Sequence, residues 1–183
     1  ADDAVVIDKV AGIEGLIEGG IVSSGGRTGA DGDNAVDFGS DPAGNQIIVD
    51  AVEDEDFFLK PASDFDKLTV VVWQKLHLVK NSSTFWFGAP SAGANNRNAQ
   101  AHIPWSNNAI FFDTGGCCNG GTQRINKGWT ASSFLEWHHY TFVKDGPNKR
   151  IYIDGELFHQ GVNTNPLTPD WNRATIGAEH GGA

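Results

Sequence analysis

Between Trp137 and Gly161 the apolar residues fall on every second position, first as Tyr140 and Phe142, then as Ile151 and Ile153. That is the period of a half-buried strand and not of a helix. Asp145, Gly146, Pro147 and Asn148 separate the two runs. Asp154 and Gly155 offer the positive φ angles that a two-residue hairpin turn requires, so the segment predicts a double antiparallel hairpin. Further strands are expected at Asn34 to Phe38, Ile47 to Val52, Leu68 to His77, Thr84 to Phe87, Ala99 to Ile103, Ala109 to Asp113, Gln123 to Ile125 and Ala174 to Ile176. Residues 1 to 30 are Gly-rich and acidic and predict a short strand and loop. The nearest approach to a helical period, Val5 to Ile17, is interrupted by Gly12 and Gly15. The chain is predicted to be all-β and to form one domain over residues 1–183, with neither a linker nor a repeat.

Four stretches share one resemblance. The Trp137–His138 pair with its following strand and the Ile151–Gly155 turn resemble the late strands of laminin G-like domains in the concanavalin A-like lectin/glucanase superfamily. Asp33 to Asp41 is similar to that family's early strand, Phe65 to His77 to its Trp-bearing strand, and Ala101 to Gly116 to a bacterial form of its central hairpin. The resemblance runs in family order over most of residues 8 to 180. It implies a two-sheet antiparallel β-sandwich of jelly-roll type. The family's usual first strand and its usual last strand have no counterpart here, and the resemblance implies an open sheet edge where they would lie. Two explanations are weighed: the chain is part of a longer protein, or a strand, from the chain's own Val5, Val6 and Ile7 or from a neighbouring copy, fills the edge.

Composition narrows the partners. Six Trp and eleven Phe among 183 residues can supply one sizeable core. The net charge of −10 disfavours nucleic acid and anionic membrane surfaces, and no apolar run is long enough to span a bilayer. The N-terminus, Ala1 followed by acidic residues, reads as the start of a processed secreted chain or of an expressed fragment. A secreted or cell-surface location is expected. Cys117 and Cys118 are adjacent, and three states compete: free thiols, a strained vicinal disulfide, or bonds to another chain.

Catalytic motifs are weak. The superfamily's retaining glucanases carry Glu-x-Asp-x-Glu on a strand, whereas the acidic run here is Glu53-Asp54-Glu55-Asp56 in a loop. Gln100-Ala101-His102 has the Gln-x-His of related lyases but no Tyr-bearing strand to accompany it. The chain is expected not to be an enzyme. His138 and His139, as strand neighbours, point to opposite faces and cannot share a metal.

Asp31 and Asp33 lie in a turn that begins like a calcium loop, but Ala35 and Pro42 replace ligands of the EF-hand pattern. The resemblance still implies a Ca²⁺ site built on loop aspartates and backbone carbonyls. For sugar binding the candidates are Trp86, His102, Trp105, Asp113 and Arg124, which would line one end of a sheet face if the hairpin turns at Asn107-Asn108; equally, Trp86 and Trp105 could be core and Asp113 with Arg124 a structural ion pair. The expected function is a non-catalytic extracellular module that binds carbohydrate or mediates adhesion, with a glycan or matrix component as partner. The alternative is a structural subunit that self-assembles as a homo-oligomer through its open edge.

Overall fold

The computed structural model describes residues 4–40, 44–51, 57–89, 97–116 and 123–178. Cys117, Cys118 and the acidic run at 53–56 lie outside them. Fourteen strands are described: β1 (Val5–Ile7), β2 (Glu14–Glu18), β3 (Val22–Gly25), β4 (Asn34–Asp37), β5 (Gln46–Asp50), β6 (Lys67–Gln74), β7 (Ser83–Gly88), β8 (Arg97–Trp105), β9 (Ala109–Thr114), β10 (Arg124–Gly128), β11 (His138–Asp145), β12 (Asn148–Ile153), β13 (Glu156–Val162) and β14 (Arg173–Ile176). One short helix, α1 (Lys60–Phe65), precedes β6.

The strands form a large sheet in the order β1-β2-β5-β14-β7-β8-β9-β10, a smaller one in the order β13-β12-β11-β6, and a two-stranded ribbon of β3 and β4. Every strand pairing is antiparallel. The double hairpin expected from alternation is β11-β12-β13, with Asp145 opposite Asn148 and Ile153 opposite Glu156. Asp154 and Gly155 adopt φ of 52° and 87°, as a two-residue turn that matches strand twist requires. The β8-β9 hairpin turns at Asn107 and Asn108, both left-handed, where Asn tolerates the conformation better than a branched residue would.

Alternation also decides which side chains meet between the sheets. Phe85, Phe87, Ala101, Ile103, Ile110 and Phe112 point inward from the large sheet, and Leu68, Tyr140, Phe142, Ile151 and Ile153 from the small one. Phe142 contacts Phe85 and Phe112 with ring centroids 5.7 and 5.3 Å apart. Two lysines break the apolar pattern. Lys144 and Lys149 face each other across β11 and β12 at inward positions, and both are buried. Lys144 donates to Asp66 and to the Gly146 carbonyl; Lys149 donates to the carbonyls of Phe112 and Gln123 at 2.6 and 2.9 Å.

The N-terminal segment forms more structure than one strand and a loop. β1 pairs with β2 of the same chain, Val6 opposite Gly15, and so forms an edge of the large sheet. Gly15 is required there, because a Cβ would stand 2.8 Å from the Ile47 methyl and 3.1 Å from that of Val6. In the small sheet, β6 has a partner strand on one side only among the described residues.

Candidate functional site

Inward positions of β6 are Leu68, Val70, Val72 and Gln74; the alternate positions, Thr69, Val71 and Trp73, are exposed, and Lys75 and His77 continue beyond the strand. Trp73 therefore stands at the surface, 45% exposed, where a buried-core role is ruled out by its place in the alternation. The β3-β4 ribbon lies across from it. Between them is a groove of about 820 Å³, floored by Ser82, Ser83 and Thr84 and walled by Arg27, Trp73 and Trp137 among others.

Each wall is fixed by specific contacts. Asp37 on β4 takes a hydrogen bond from the Gly39 amide at 2.7 Å and lies 2.7 Å from His77 Nε2, tying the ribbon to the chain beyond β6. The hydrogen bond from His77 holds the Asp37 carboxyl below the usual range. Asn45 donates to the Phe38 carbonyl at 2.8 Å, and Phe38 packs against Gly177 so closely that a Cβ there would collide with its ring. On the floor, Gln74 donates to the Ile103 carbonyl at 3.2 Å and accepts from Thr84 at 2.8 Å.

Two cations line the groove. The Arg27 guanidinium lies 4.4 Å over the Trp73 ring, and Lys75 Nζ lies 5.5 Å from the Trp137 ring. Such contacts are worth about 0.5–1 kcal/mol at exposed sites and hold a flexible cation in place.

Asp33 also lines the groove. Its Oδ2 accepts from the Thr28 backbone N–H and from the Thr28 hydroxyl, and these bonds hold its carboxyl below the usual range. Asp31 is exposed in the same loop. Both Thr28 donors reach the same carboxylate oxygen, and among the described residues no three His, Cys, Asp or Glu side chains are grouped around a point a metal ion could occupy.

The five residues expected to bind sugar lie elsewhere. Trp86, Gln100, Asp113 and Arg124 stand opposite one another in successive pairs on β7, β8, β9 and β10, on the face of the large sheet turned away from the core. His102 is next on the same face and stacks on Trp105 with centroids 4.4 Å apart. Of the five, Trp86 and Asp113 are 0% exposed and His102 is buried. Asp113 receives Arg124 through two donors at 2.6 and 2.5 Å and Arg97 through one at 3.1 Å, so its charge is used within the fold. Only Trp105 and Arg124 reach the surface. This face reaches the groove through Ser83, whose hydroxyl is 3.0 Å from His102 Nδ1 and accepts from Gln100 at 3.1 Å.

Two antiparallel sheets packed over one apolar core define a jelly-roll type of β-sandwich. Comparison agrees. A laminin G model of the concanavalin A-like lectin/glucanases superfamily matches residues 28–183, and the chain belongs to that family. No curated protein sequence matches it. Among solved structures it is similar to the receptor-binding domain of botulinum neurotoxin C/D mosaic serotype, with TM-score 0.57 and 11% identity over 98% of this chain and 43% of that one. It is also similar to the binding domain of botulinum neurotoxin DC in complex with SialylT (TM-score 0.53, 15% identity, 98% of this chain and 38% of that one) and in complex with rat synaptotagmin II (TM-score 0.52, 15% identity, 97% and 38%). At such identities the likeness is one of fold, and the chain spans about two fifths of those structures. No helix among the described residues is long and apolar enough to cross a membrane.

Proposed function

We propose that this chain is a non-catalytic carbohydrate-binding module acting outside the cell, and that a glycan lies in the groove between the β3-β4 ribbon and β6. The observation that carries the reading is Trp73, an indole 45% exposed on the wall of a groove of about 820 Å³, with hydrogen-bonding groups beside it. Sugar rings present apolar C–H faces flanked by hydroxyls, and an aromatic face among fixed polar groups complements both. Trp105 and Arg124, the partly exposed members of the other cluster, are proposed as a secondary contact.

Binding of the chain to an array of oligosaccharides, repeated with Trp73→Ala, tests the reading. A glycan bound by the parent should lose at least about tenfold in affinity, in line with one aromatic stacking contact plus its buried area, while the melting temperature stays within a few degrees. Undiminished binding by the variant would overturn the groove as the site.

The side of β6 that has no partner strand among the described residues supports the second reading, self-association by strand addition from a neighbouring copy. Sedimentation across a hundredfold range of concentration separates the two: a monomer throughout leaves the glycan reading alone.

A further inference from the structure

Most described cations of this chain have a partner that occupies their donors. Arg97 and Arg124 hold Asp113, Arg173 holds Asp50, Lys67 meets Asp145, Lys144 meets Asp66, and Lys127 donates to the Phe158 carbonyl. Arg27 and Lys75 differ: each is held against a tryptophan, and neither donates a hydrogen bond to any described residue. The two acids nearest them in the groove are already engaged, Asp33 by Thr28 and Asp37 by His77 and the Gly39 amide. The groove's carboxylates are hydrogen-bonded within the fold, while its two cations attract those carboxylates through space and keep their hydrogen-bond donors.

Stacking matters to what Arg27 can do. With its Cζ 4.4 Å from the Trp73 ring centroid, the guanidinium is attracted to the ring without using its N–H donors in a hydrogen bond to a described residue. A guanidinium fork binds a planar or tetrahedral oxyanion through two parallel hydrogen bonds, and the entropy lost on binding is reduced because the side chain is already held. On a chain of net charge −10 an anion needs such cationic donors to offset repulsion by the rest of the surface, including Asp33 and Asp37 in the groove itself.

We infer that the groove selects acidic glycans, with Arg27 taking the carboxylate or sulfate of a sugar unit whose ring lies beside Trp73, and Lys75 attracting a second negative charge near Trp137. The inference rests on the groove being a glycan site. Neutral sugars would gain the aromatic contact alone; acidic ones would gain in addition a charge-assisted pair that ordinary salt weakens.

The test compares an oligogalacturonate, its fully methyl-esterified form and a sulfated galactan oligomer by titration calorimetry at low and high salt. The oligogalacturonate or the sulfated oligomer should bind about tenfold or more tightly than the ester, and the stronger of the two identifies carboxylate or sulfate as the recognised group. Arg27→Gln should remove the advantage, and Arg27→Lys should restore part of it, because charge returns without the fork. If the ester binds as tightly as the acid and Arg27→Gln changes nothing while Trp73→Ala abolishes binding, acidic selection is wrong and the glycan groove stands. If none of the three oligomers binds and no other glycan does, both fall.

Discussion

On the outer face of the large sheet, Asp113 accepts from Arg97 and Arg124 and sits at 0% exposure, while Trp86 and His102 are buried beside it. In the groove beside β6, Arg27 and Lys75 rest on Trp73 and Trp137 with no described acceptor, and Trp73 stays 45% exposed. The residue types are nearly the same in the two places. Their accessibility and the state of their partners separate them: where acid and base are both present and buried, polar chemistry fixes the sheet, and where cations face aromatic rings at the surface, it remains open to a ligand.

Removing the acid from the closed face should have the largest effect. Asp113→Ala leaves the Arg97 guanidinium buried and Arg124 without its acceptor, and breaking a buried ion pair in this way costs about 3–5 kcal/mol. Urea unfolding should show that loss, and glycan affinity of the folded fraction should change far less than it does in Trp73→Ala. A stable Asp113→Ala variant that no longer binds would reverse the assignment of the two regions.

A second test concerns a cation that neither region explains. Burial pushes the Lys149 ammonium down from its ordinary value of 10.5 to about 7. In the unfolded chain the group keeps its ordinary value, so between pH 7 and 10.5 the unfolded state binds the extra proton and stability rises with pH. Melting temperature should increase from pH 7 to pH 9, and Lys149→Met should flatten that rise. An unchanged slope in the variant would place the titration elsewhere.

The smallest effect is expected from calcium. Because Thr28 already donates twice to Asp33, millimolar Ca²⁺ should move the melting temperature by no more than about 1 °C. A rise of several degrees, reversed by EDTA and absent from Asp33→Asn, would show that Asp31 and Asp33 form a site after all.

The strands of this fold were largely legible because alternation is a local signal: Tyr140, Phe142, Ile151 and Ile153 all point inward as their spacing requires, and Asp154-Gly155 turns where it should. Short elements were harder. α1 has six residues, too few for a helical period to show, and β2 and β3 lie in Gly-rich sequence where strand propensity is weak. Lys144 and Lys149 occupy inward positions that a sequence reading would assign to the surface by residue type, since only the fold reveals the carbonyls and the carboxylate that receive them. The groove was missed for a different reason. Arg27, Trp73 and Trp137 come from three separate segments, so no spacing connects them; the one local clue was Trp73 itself, an indole on the outward side of a strand whose inward side was already apolar.

The division between closed face and open groove can be read directly from the tryptophan indole N–H signals of the ¹⁵N-labelled chain. Titration with a bound oligosaccharide should shift the Trp73 and Trp137 signals, assigned through Trp→Phe variants, and leave that of Trp86 in place. Movement of the Trp86 and Trp105 signals with Trp73 unchanged would contradict the account and return the site to the face of the large sheet.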